Sequence, residues 1–121
     1  MGVTYETLQA QRSLRRKQLE QALEEICEKL KNMGALRIIV FGSYVSGIMR
    51  KWSDLDIIVV MPSTSSGKEW FKEIYDKINA NISADILPFT EEELKIRIKT
   101  SSFIRHALKT GRIIYEKRQK N

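Results

Sequence analysis

The chain has 121 residues, enough for one hydrophobic core without disulfide or metal staples. With 42% hydrophobic and 30% charged residues it is neither a disordered chain nor a membrane protein, and no apolar run approaches the roughly 20 residues of a membrane span. The formal charge of +6 makes polyanions, nucleotides among them, plausible partners, and the single cysteine, Cys27, excludes an intramolecular disulfide and fits a reducing cytoplasm. The N-terminus lacks the apolar core of a signal peptide.

In chain order, residues 4–33 read as one long helix. Leu19, Ala22, Leu23, Ile26, Leu30 and Met33 recur at three- and four-residue steps, and Gly34 is a natural stop. The first half, through Arg12, Arg15, Arg16 and Lys17, is more polar and is expected to project from the core, either freely or against a second chain. Residues 36–41 read as a buried strand and 43–49 as a helical turn or short helix. Residues 54–60 read as a second strand ended by Pro62, followed by a polar loop through Gly67. A helix is expected over 68–80, with Trp70, Phe71, Ile74 and Ile78 on one face, and a third strand over 82–88. Strand, crossover helix and strand imply that the second and third strands are parallel neighbours. Thr90 with Glu93 is a capping box, so a helix starts there and is expected to run to about Lys109; Gly111 breaks it, and Arg112–Tyr115 reads as a closing strand. No linker divides the chain, so one domain over 1–121 is expected.

The chemistry-bearing residues cluster at one junction. A Gly42–Ser43 turn leaves the first strand, and ten residues later Asp54 and Asp56 open the second. Side chains alternate along a strand, so the two carboxylates point the same way, repel, and raise each other's pKa. A cation between them removes the conflict, and hard oxygen ligands of this kind suit Mg²⁺ or Mn²⁺. A glycine turn can present backbone N–H groups to an anion. Asp85 is a charge inside an apolar run and reads as buried; with suitable register it joins the pair, and three such carboxylates can hold two metals about 3.5–4 Å apart. Each piece has a plainer reading: an ordinary strand-to-helix turn, a solvated sheet rim, a rim aspartate satisfied by water. The combination and its spacing favour phosphoryl or nucleotidyl transfer. His106 reads as a surface or structural residue and Cys27 as packing.

The segments Phe41-Gly42-Ser43, Ser53-Asp54-Leu55-Asp56-Ile57, Ala84-Asp85-Ile86 and the ending 103–116 resemble the nucleotidyltransferase superfamily typified by DNA polymerase beta, and in length its minimal nucleotidyltransferases. The resemblance covers roughly residues 36–116 and implies an α/β fold, a small mixed β-sheet flanked by helices, with the 1–33 helix as an N-terminal addition. It implies that Asp54 and Asp56 ligate two Mg²⁺ ions, with Mn²⁺ an alternative, and that Asp85 ligates the catalytic ion and helps to deprotonate the acceptor. It places the triphosphate on Gly42 and Ser43. Arg50 and Ser53 are candidate nucleotide contacts, Arg50 with Lys51 as a charge screening the triphosphate, although Ser53 also reads as a turn residue. The implied reaction moves an NMP, AMP from ATP being the expected case, to an acceptor hydroxyl. The resemblance further implies the antitoxin half of a pair with a small helical HEPN-family protein, whose tyrosine can be the acceptor. The alternatives are an NTP- or partner-binding module without transfer and a nucleic-acid-modifying nucleotidyltransferase. The oligomeric state is open, a homo-oligomer being one outcome.

Overall fold

A computed structural model describes residues 4–47, 54–78 and 83–118. Helix α1 (Tyr5–Asn32) is followed by β1 (Arg37–Phe41), a single turn α2 (Ser43–Ser46), β2 (Leu55–Val60), α3 (Gly67–Lys77), β3 (Ala84–Phe89), α4 (Glu91–Thr100), α5 (Ser102–Thr110) and β4 (Arg112–Glu116). The four strands form one mixed sheet in the order β3-β2-β1-β4. β1 runs antiparallel to both β2 and β4, whereas β2 and β3 are parallel, as the crossover through α3 requires.

The continuous apolar runs of β1 and β2 are explained by burial on both faces. On one face Ile38 and Val40 of β1 and Leu55, Ile57 and Val59 of β2 pack against Leu19, Leu23, Ile26 and Leu30 of α1 and Trp70 and Ile74 of α3. On the other, Ile39, Phe41, Ile58 and Val60 meet Leu94 of α4 and Ile104 and Ala107 of α5. The α1 stripe is therefore the expected one, and its burial begins only at Leu19; Tyr5, Leu8 and Leu14 are exposed. No helix among the described residues is long and apolar enough to cross a membrane.

Three expectations are corrected. The helical stretch after Thr90 is two helices, not one. Ser101 ends α4 and caps α5, its hydroxyl accepting from the Ile104 N–H at 3.2 Å. Arg105 then donates to the carbonyl of Ile98 at 2.8 Å, satisfying an acceptor at the end of α4. Phe71 does not share the buried face of α3; it is half exposed and stacks on Tyr75, ring centroids 6.2 Å apart. Asp85 is exposed, because β3 is an edge strand and its first residues have the sheet on one side only. The Thr90–Glu93 capping box is present, and Ser66 with Glu69 forms a second one at the start of α3.

Candidate active site

Sheet register builds the site. Phe41 pairs with Asp56 across β1–β2, and Asp56 pairs with Asp85 across β2–β3, so the three residues form one row on the α5 face of the sheet. Asp54 stands just before β2 and is exposed. The expected convergence of Asp56 with Asp85 is thus met by backbone pairing between neighbouring strands, which lie about 4.8 Å apart. Ser53, Arg50 and Lys51 lie outside the described residues.

Gly42 follows Phe41 directly and so abuts the same row. Its backbone has φ +80° and ψ −150°, a region open essentially to glycine alone. A Cβ there would overlap the Asp56 carboxylate. Gly42 therefore does two jobs: it lets the chain turn into α2, and it leaves room for the acid. The carbonyl of Gly42 accepts from the Val45 and Ser46 N–H groups at 3.1 and 3.0 Å, and no side chain caps the start of α2. The first N–H groups of the turn, at Ser43 and Tyr44, have no partner within the helix.

The electrostatics follow from the row. Burial, then the charge of Asp85, then that of Asp54 push the Asp56 carboxyl above the usual carboxylate range. Asp54 is partly compensated by Arg15 of α1, whose guanidinium donates to Asp54 Oδ1 at 3.4 Å. The neighbouring Arg16 lies over the Tyr44 ring, 5.1 Å from its centroid. Neither contact was visible in sequence spacing, since Arg15 and Asp54 are 39 positions apart. Among the described residues no three acids, histidines or cysteines are gathered into a ready-made metal cage. The donor set nevertheless fits a hard divalent cation: carboxylate oxygens only, on adjacent strands, with mutual repulsion that a cation would relieve.

Beside the acids lies an open cleft of about 930 Å³ between α3, β3 and the start of α5. Asp56 and Asp85 form part of its lining, with Phe41, Phe71, Tyr75 and Phe103 as its aromatic wall. Phe103 meets Phe41 edge-on at 5.8 Å. Asp76 is the third carboxylate of the lining, and no described lining residue is Lys or Arg. His106 is exposed on α5, and Cys27 packs against the core on the α1 face, its thiol pKa raised mainly by burial.

The coupled acids make a stability prediction. The folded chain holds the Asp56 proton to higher pH than the unfolded chain does, so this group's contribution falls as pH rises from the ordinary carboxylate range through the raised value. Without divalent cation, Asp56→Asn should melt higher than wild type at neutral pH, and the difference should shrink as pH falls below the ordinary carboxylate range, to about pH 3, where the wild-type group is protonated in both states. Paired melting curves across pH check this. A lower melting temperature for Asp56→Asn at pH 7 would make Asp56 a structural cap.

A family model described as a nucleotidyltransferase domain matches residues 19–118. A candidate nucleotidyltransferase from Sulfolobus solfataricus has a similar structure, with a TM-score of 0.53 and 18% identity over 89% of this chain and 86% of that one. A toxin–antitoxin structure with AMP-PNP aligns at a TM-score of 0.48 and 18% identity, over 83% of this chain and 75% of that one. A search of curated proteins found no match.

Proposed function

The chain belongs to the nucleotidyltransferase domain family, and from that premise we propose that it transfers a nucleotidyl group, AMP from ATP, to an acceptor hydroxyl in the cytoplasm. The observation that carries this reading is the register of Asp56 with Asp85, with Asp54 two residues upstream of Asp56 and the uncapped Gly42–Ser43 turn beside them. Asp54, Asp56 and Asp85 would hold Mg²⁺, which when bound neutralises charge on the reacting phosphate oxygens. The Ser43 and Tyr44 N–H groups hold the β- and γ-phosphates as donors. Asp85, the most accessible acid of the row, accepts the proton of the acceptor hydroxyl. The acceptor oxygen bonds to the α-phosphorus, the bond from that phosphorus to the bridging oxygen breaks, and pyrophosphate leaves.

The cleft supports a protein acceptor over a nucleic acid. Its described lining holds three aspartates and no cation, which disfavours a phosphate backbone, while its aromatic wall suits an apolar or aromatic segment. A small helical HEPN-family partner is part of this proposal; the exposed Tyr5, Leu8 and Leu14 of α1 offer apolar surface to such a chain.

The test is Mg²⁺-dependent pyrophosphate release with each NTP in turn, using extract of the source cells as the acceptor pool. Release with ATP that requires Mg²⁺ is expected. Tight ATP binding without release would favour the binding-module reading.

A further inference from the structure

We infer that the open edge of β3 docks an extended, basic polypeptide segment as an added strand, which lays the acceptor chain beside Asp85. The acceptor role rests on the nucleotidyltransferase reading above; the docking follows from the backbone alone. β3 ends the sheet, and among the described residues no strand lies beyond it. Its register with β2 fixes which backbone groups are left over. The Leu55 N–H donates to the Ser83 carbonyl at 3.4 Å and the Met61 N–H to the Phe89 carbonyl at 2.8 Å, so Ser83, Asp85, Leu87 and Phe89 turn their backbone groups to β2. Ala84, Ile86 and Pro88 alternate with them and turn theirs outward. Pro88 has no N–H to offer and is buried, and α3 closes that end of the edge: a Cβ on Gly67 would stand 2.7 Å from the Pro88 carbonyl oxygen. The usable edge is therefore Ala84 and Ile86. These two flank Asp85, and Ser83 to Leu87 together line the aromatic cleft.

Strand addition takes its affinity from main-chain hydrogen bonds and its choice of partner from alternate side chains. Charge selects the occupant here. The described cleft lining holds Asp56, Asp76 and Asp85 and no Lys or Arg. Asp56 and Asp85 share the α5 face of the sheet, so every other side chain of the added strand lies on that face and is matched by a cation. The side chains between them lie on the α3 face with Ala84 and Ile86, near Phe71 and Tyr75, whose exposed rings are matched by apolar groups. A second copy of this chain does not fit. Antiparallel pairing of two copies through both edge residues would set their Asp85 carboxylates directly opposite each other, and like charges so placed destabilise a sheet. Pro88 keeps the run short, which guards the edge against open-ended pairing.

The probe is a short synthetic peptide that alternates lysine with valine and carries one tyrosine among the lysines. Amide hydrogen exchange of the full chain, followed by NMR, reads the docking. With this peptide bound, the Ala84 and Ile86 N–H groups should exchange at least about tenfold more slowly, whereas those of Asp85 and Leu87, already bonded to β2, should change little. A glutamate-for-lysine peptide should not bind. N-methylating one alternate set of the lysine peptide's amides should weaken binding about tenfold, and methylating the other set, which faces away from β3, should spare it. Ala84→Pro removes an outward donor and no bond to β2, so it should keep its melting temperature and bind the peptide about tenfold more weakly. No binding at about millimolar peptide, binding without protection of Ala84 and Ile86, equal effects of the two methylations, or an equal hold on the glutamate peptide overturns this inference alone. Edge protection in a protein that neither binds ATP with Mg²⁺ nor releases pyrophosphate overturns the nucleotidyltransferase reading and the acceptor role with it.

Discussion

Asp85→Asn is expected to leave NTP affinity almost unchanged and to slow nucleotidyl transfer by at least about 10²–10⁴-fold, the usual worth of a general base. The separation follows from position. Asp56 lies against Gly42, whereas Asp85 sits across β2–β3 from Asp56 and lines the aromatic cleft. An amide there keeps the shape of the carboxyl group but cannot take a proton, and it binds a hard cation poorly. Asp85 is exposed on an edge strand, so the substitution removes no buried contact, and because it also removes one charge that repels Asp56 the melting temperature should hold or rise. Single-turnover pyrophosphate release measured beside nucleotide affinity reads the two effects apart. Undiminished turnover would reduce the three-acid site to two acids. Lost binding with normal chemistry at saturation would move Asp85 to the nucleotide side.

Gly42→Ala is expected to damage both fold and site. Alanine is strained at φ +80°, ψ −150°, at a cost of about 1–3 kcal/mol for a sparsely populated backbone conformation. The added Cβ also overlaps the Asp56 carboxylate, so relief requires moving the acid or the turn. A loss of several degrees in melting temperature should accompany a sharp loss of Mg²⁺-dependent NTP binding. Gly47→Ala is the matched control. Gly47 has φ +81° and ψ −1°, an ordinary left-handed conformation, and a Cβ there meets nothing within 4 Å among the described residues. It should cost stability but spare Asp56. Equal effects of the two substitutions on nucleotide binding would mean that Gly42 serves the turn alone.

The parts of this molecule that were legible in the sequence are those fixed by local pattern. The Leu19–Leu30 stripe, the two apolar strands and the Thr90 capping box each follow from neighbours within a few residues. The parallel pairing of β2 with β3 followed from chain connectivity, and with it the meeting of Asp56 and Asp85. Four features escaped. The break at Ser101 lies between two segments of similar helical composition, and only a serine's capping role separates them. The exposure of Asp85 depends on β3 being an edge strand, which is a property of sheet order. The Arg15–Asp54 contact joins residues 39 apart and depends on the docking angle of α1; the arginine cluster was visible, its target was not. The Gly42–Ser43 turn is legible as a phosphate turn, but the packing of Gly42 against Asp56 follows only from the Phe41–Asp56 register.

The central claim is that the acid row directs attack at the α-phosphorus of an NTP, and the position of a radiolabel tests it most directly. Wild type and Asp56→Asn would be incubated with Mg²⁺ and ATP labelled at either the α- or the γ-phosphate, in extract of the source cells, and proteins and nucleic acids then separated on gels. The account predicts a band labelled from the α-phosphate only, absent with Asp56→Asn. A band labelled from the γ-phosphate, or α-labelling that survives the loss of Asp56, would contradict it.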